Sequence, residues 1–172
     1  AIVCNLFVIG VYWFEQQREA STLFSINIGD QLLSFSSVIF LWIAAAIVVA
    51  LKVVFGISRW TGPADAIYAA HQINEPLNIK TGLASTLAAF TAASGGASVG
   101  QYGPLVHFGA TMGIWVKRFV SSRLSHEVYL GCGVAAAISA GFNAPIAGVI
   151  FAHEAILRHF SVRTIAPITV AS

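Results

Sequence analysis

Charge is what this chain lacks most. Nine Lys or Arg and seven Asp or Glu make up 9% of its 172 residues, against about 25% in a typical soluble domain. So little charge cannot cover the surface of a water-soluble globule of this size, which excludes that class and points to an integral membrane protein. The net charge of +2 is spread over loops, with no basic stripe, so a nucleic-acid partner is not expected. Cysteine is scarce too. Cys4 and Cys132 stand far apart in apolar surroundings and read as buried thiols, not as a disulfide or metal ligands. His71, His126 and His159 fall in separate loops without zinc spacing. His153 and Glu154 are adjacent and so point to different faces of a helix. No nucleophile–base constellation is present. The G-x-S-x-G-like Gly96-Ala97-Ser98-Val99-Gly100 lacks the strand–turn–helix setting of a hydrolase elbow. No enzyme activity, catalytic residue, metal or cofactor is expected.

What is present is apolar: 57% of the residues are hydrophobic. Residues 32–51 are uncharged, about the 20 that a spanning helix needs. Lys52 and Arg59 mark the far end, which the positive-inside rule makes cytoplasmic. Residues 1–14 read as the second part of a helix leaving the membrane, and residues 21–31 as a polar connection. Thr61-Gly62-Pro63-Ala64-Asp65 reads as a helix start, with Thr61 the expected N-cap, Pro63 in the first turn and Asp65 complementing the dipole. That helix is too short to span, and Asn74-Glu75-Pro76 ends it. Helices follow at 80–93, 104–119, 128–140 and 145–157, the first and third of them rich in small residues. The expected architecture is all-α and multi-pass, with about seven short, interrupted helices. The chain opens in an apolar run without an initiator methionine and stops inside another. It therefore reads as a single transmembrane region, residues 1–172, of a longer polypeptide.

One stretch organises the rest. Residues 95–113, GGASVGQYGPLVHFGATMG, lie in the longest charge-free run yet hold Gly95, Gly96, Gly100, Gly103 and Pro104. A helix that only crossed a bilayer would need no such breakers. A break at membrane depth is tolerated where the backbone faces protein or a water-filled cavity. Pro104 suits the first turn of the next helix. Gly100-Gln101-Tyr102-Gly103 then becomes a helix N-terminus with free amides and a positive dipole end, which attracts anions. His107, one turn further in, reads as an ordinary interior histidine.

These residues carry a resemblance. GASVGQYGPLVHFGATMG, followed by AAAISAGFNAPIAGVIFAHE, resembles the first half of the CLC family of chloride channels and chloride/proton antiporters. The family pattern G-[KR]-E-G-P, with a G-x-x-x-G helix behind it, falls on Gly100-Gln101-Tyr102-Gly103-Pro104 with Gly109 and Gly113. Its F-N-A-P-x-A-G pattern falls on residues 142–148. The resemblance implies one inverted-repeat half of a CLC-type fold, in a homodimer whose protomers each have a pore within the lipid bilayer. Chloride or another small anion would be the transported ion, with no cofactor.

Three departures change the implied mechanism. The family's gating glutamate falls on Tyr102, a phenol uncharged near neutral pH. It can block sterically or donate a hydrogen bond, but it cannot imitate an anion. The antiporters' second glutamate falls on Ala155, beside Glu154. The family's G-S-G-x-P loop falls on Arg59-Trp60-Thr61-Gly62-Pro63, so that Thr61 or Ser58 would have to supply the hydroxyl. Tyr102, Gln101, Gly103, Gly100 and Thr61 are therefore the expected anion-binding and gating residues. Passive anion conduction uncoupled from protons is the leading expectation. Exchange through another acidic residue, and a non-conducting membrane scaffold, remain as alternatives.

Overall fold

The structure, a computed structural model, describes all residues except 1, 21–24, 29–30, 73–76, 101 and 121–123. Among them are eight α-helices: α1 Ile2–Ala20, α2 Phe35–Phe55, α3 Pro63–His71, α4 Ile79–Ser94, α5 Tyr102–Phe119, α6 His126–Phe142, α7 Pro145–Phe151 and α8 Val162–Ala171. A π-helical segment, Ala152–Leu157, continues α7. The expected all-helical architecture holds, with one addition. Strands β1 Ser25–Ile28 and β2 Gln31–Ser34 pair antiparallel, Ser25 opposite Ser34, where only a polar connection was expected.

Helix α2 carries the one stretch among the described residues that is long and apolar enough to cross a membrane, Val38–Phe55, of mean hydropathy 2.8. It is scarcely buried: Trp42, Val53 and Val54 are each about three-quarters exposed. A face this apolar needs lipid or protein against it. Helix α1 runs further than expected, because Glu15 and Arg18 stay on it as an i, i+3 pair.

Helix α6 is the hub of the molecule. Its Leu130, Val134 and Ile138 join Val106, Ala110 and Ile114 of α5, Ala66 of α3 and Ile156 of the π-helical segment in the main core. Small residues let α5 and α6 touch backbone to backbone. A Cβ added at Gly109 would stand 2.6 Å from the Cβ of Ala137, and one at Gly113 would stand 3.0 Å from the carbonyl carbon of Tyr129. Gly133 meets Gly109 from the facing side. Between membrane helices such close approach yields van der Waals contact where the hydrophobic effect offers none. The crossing extends to the helix ends, where Gly141 packs on Leu105.

Helix α6 stops at Phe142 because Asn143 turns left-handed, φ 52°, and donates its N–H to Ser139 O. Pro145 then opens α7 in its first position. Gly100, at φ 68°, reverses the chain just ahead of α5, a conformation that side-chain-bearing residues resist.

Candidate anion pathway

Two helix starts meet at one point. A Cβ on Gly103, in the first turn of α5, would lie 3.4 Å from Pro63, the first residue of α3. The start of α7 joins them: Pro63, Tyr102, Gly103, Phe142, Ala144 and Ala147 border a single hollow of about 560 Å³, with Val106, Ile138 and Ile156 behind. Its walls are almost wholly apolar and carry no charged side chain, so the polar features available to an anion there are backbone amides, helix-dipole ends and the Tyr102 hydroxyl.

Tyr102 dominates this place. It is the first residue of α5, 43% exposed, and its ring stacks on Phe142 with centroids 4.0 Å apart and planes 17° from parallel. It also borders a second hollow of about 420 Å³, formed by α1 and the loop from Gly96 to Gly100. Tyr102 thus borders both spaces, and Phe142 the first. Gly100 borders the second hollow and Gly103 the first. Gln101 lies outside the described residues.

Thr61 is placed differently from the expectation that it caps α3. The N-cap is Gly62, whose N–H donates to Asp65 Oδ2 at 2.7 Å. Asp65 does the capping because it sits three residues on, where a carboxylate reaches back to the open amide; Arg59 pairs with its other oxygen. The Thr61 hydroxyl lies 2.9 Å from His107 Nε2 and 3.0 Å from Ser85 Oγ, and its N–H also donates to Ser85 Oγ at 3.0 Å. His107 is 1% exposed, so these three residues form a buried polar knot that ties α3 to α4 and α5. The hydroxyl expected to meet an anion is engaged in that knot and is not among the groups bordering the 560 Å³ hollow.

Sequence reasoning missed Phe142 as the partner of Tyr102, although it opens the F-N-A-P stretch. It also missed Arg18 beside the second hollow, because the charge reaches that loop from a helix some 80 residues away in sequence. His153 is fully buried, held by Val149 O and Thr164 Oγ1, while Glu154 is exposed. The two do face apart.

The family model described as "Voltage gated chloride channel" matches residues 38–172. The chain belongs to the voltage-gated chloride channel family. A putative chloride channel protein ClcB-like of Ralstonia nicotianae is 29% identical over 101 residues, 56% of this chain and 24% of its own. The chloride channel protein of Torpedo marmorata is 33% identical over 100 residues, 54% of this chain and 12% of its own. H(+)/Cl(-) exchange transporter 5 of Oryctolagus cuniculus is 36% identical over 84 residues, 46% of this chain and 10% of its own. The chain thus spans a tenth to a quarter of the length of these relatives. Chloride channel family members are membrane-embedded transporters of anions, which accounts for the exposed apolar flank of α2.

Proposed function

We propose that the protein containing this segment carries chloride or related small anions passively across the membrane, uncoupled from protons, along a path closed by the Tyr102–Phe142 pair. The observation that carries this reading is Tyr102, stacked on Phe142 and bordering both hollows, at the position where the family pattern places a carboxylate. A stacked ring is moved by rotation, not by taking up a proton, so nothing at this position links anion passage to proton passage. On this reading Gln101, Tyr102 and Gly103 bind the anion, and Gly100, at φ 68°, shapes the turn ahead of α5. Thr61 acts at one remove, fixing the start of α3 through Ser85 and His107. The segment is one half of a multi-pass protomer, and the working unit is a homodimer needing no cofactor.

A second reading, chloride/proton exchange, is favoured by the likeness to an H(+)/Cl(-) exchange transporter. It would require another acid, for which Glu154, exposed on the π-helical segment, is the candidate. Chloride efflux from liposomes carrying the longest natural chain with this segment, with external pH recorded, separates the two. Efflux that needs a cation ionophore for charge balance and moves no protons supports the passive reading. Protons moving in fixed ratio to chloride would sink it.

A further inference from the structure

We infer that the hollow where α5 ends and α6 begins binds the phosphate of an anionic phospholipid. This hollow, of about 490 Å³, is bordered by Leu77, Asn78, Ile114, Lys117, Arg118 and His126. Three elements meet there by their ends. Asn78 is the N-cap of α4, Lys117 and Arg118 lie in the last turn of α5, and His126 is the first residue of α6. The two helix starts add positive dipole ends to the two cations, the combination that suits a phosphate. Lys117 also stands near enough to His126 for each to disfavour the other's charge, and an anion bound between them would favour both. Glu127 opposes: it borders the adjoining hollow of about 500 Å³, which shares Lys117 and His126, and its Oε1 accepts from Ser125 Oγ at 3.1 Å. Glu75 and Arg123, near in sequence, lie outside the described residues. The depth of the site comes from its neighbours on α5. Trp115 and Phe119 are 42% and 73% exposed and meet edge to face, with centroids 5.4 Å apart. Val116 and Val120 beside them are exposed as well. Exposed aromatic rings at a helix end mark the boundary between membrane and water, which sets Lys117 and Arg118 at headgroup level. Arg118, three residues after Trp115, shares its face of the helix and joins the apolar flank to the hollow. A free phosphate would use the cations alone, whereas a phospholipid also covers that flank.

The site does not rest on the transport reading, and its test reads lipid binding alone. The longest natural chain is purified in detergent as wild type, Lys117→Gln, Arg118→Gln, Glu127→Gln and Lys52→Gln. Successive lipid additions are resolved by native mass spectrometry, with dioleoylphosphatidylglycerol and with dioleoylphosphatidylcholine. Wild type is expected to hold the first phosphatidylglycerol more tightly than phosphatidylcholine. Lys117→Gln and Arg118→Gln should each weaken phosphatidylglycerol about three- to tenfold and leave phosphatidylcholine little changed. Glu127→Gln should tighten it. Lys52→Gln, which removes an exposed cation from the last turn of α2, should stay near wild type. Equal affinity of wild type for the two lipids overturns the proposal, and so does phosphatidylglycerol binding that falls no further in Lys117→Gln and Arg118→Gln than in Lys52→Gln. Displacement of the bound lipid by millimolar inorganic phosphate would assign the hollow to a free anion and overturn the lipid reading. If Lys117→Gln does not fold, Arg118→Gln, whose side chain is exposed, decides by the same criterion.

Discussion

Truncating Phe142 is the sharpest perturbation of the proposed gate, because it leaves Tyr102 in place and removes only what the ring leans on. Phe142 is 51% exposed, so its loss costs the fold little. The stack, at 4.0 Å between centroids and 17° between planes, is offset-parallel geometry of the kind worth about 0.5–1.5 kcal/mol. Removing that preference multiplies the population of rotated Tyr102 roughly two- to tenfold. If rotation opens the path, Phe142→Ala raises chloride efflux by that factor. Tyr102→Ala, which deletes the wall between hollows of about 420 and 560 Å³, raises it further. Tyr102→Phe keeps the ring and its stack and changes the rate by less than about twofold. Efflux is followed with a chloride electrode after dilution into chloride-free buffer, the rate normalised to protein per vesicle. Wild-type rates in both Phe142→Ala and Tyr102→Ala would refute the idea that this pair closes the path. A large fall in Tyr102→Phe would mean that the hydroxyl, not the ring, does the work.

Three other outcomes are expected. Gly133→Ala drives a Cβ into the backbone of Gly109 and Gly113, which cannot swing aside, and should cost on the order of 2–3 kcal/mol or more; a melting temperature unchanged in detergent would contradict the close crossing. Ser85→Ala strips the Thr61 N–H of its acceptor and should cost about 1–3 kcal/mol, whereas Ser85→Thr should retain most of the stability; equal melting of all three proteins would show the knot to be idle. His126, the first residue of α6, has its pKa pushed below the ordinary 6.5 by burial first and by nearby Lys117 second, with Glu127 opposing. The unfolded chain therefore binds this proton more readily, and stability present above pH 6.5 is lost as pH falls toward the lower folded value. His126→Gln should flatten the acid side of the melting-temperature profile, and a profile steeper in the variant would contradict that sign.

Much of the architecture could be read from local pattern. The uncharged run ahead of Lys52 became α2, and Pro63, Pro104 and Pro145 each fell in the first turn of a helix. Asn143 and Gly100 take left-handed conformations at breaks. What escaped was non-local. Thr61 looked like a cap because Thr before Gly-Pro commonly is one, but partners 24 and 46 residues away claimed its hydroxyl and the nearer Asp65 took the amide. The Tyr102–Phe142 stack joins residues 40 apart across the α5–α6 crossing, and no periodicity announces it. The β1–β2 hairpin was missed because Ser25-Ile26-Asn27-Ile28 is too short for alternation to stand out within a polar connection. The π-helical segment Ala152–Leu157 leaves no mark in composition.

The glycine-on-glycine crossing also fixes a timescale. With Gly109, Gly113 and Gly133 in backbone contact and Gly141 seated on Leu105, the ends of α5 and α6 that bear Tyr102 and Phe142 keep a constant spacing. If this pair is the gate, slow relative motion of helices, which runs over microseconds to milliseconds, would not open it, and rotation of half-exposed rings, on the order of picoseconds to nanoseconds, would remain. Such flicker is faster than any single-channel recording resolves. On the passive reading, the current from this protein would be a smooth, ungated leak without discrete openings, its size set by the fraction of time the ring stands aside.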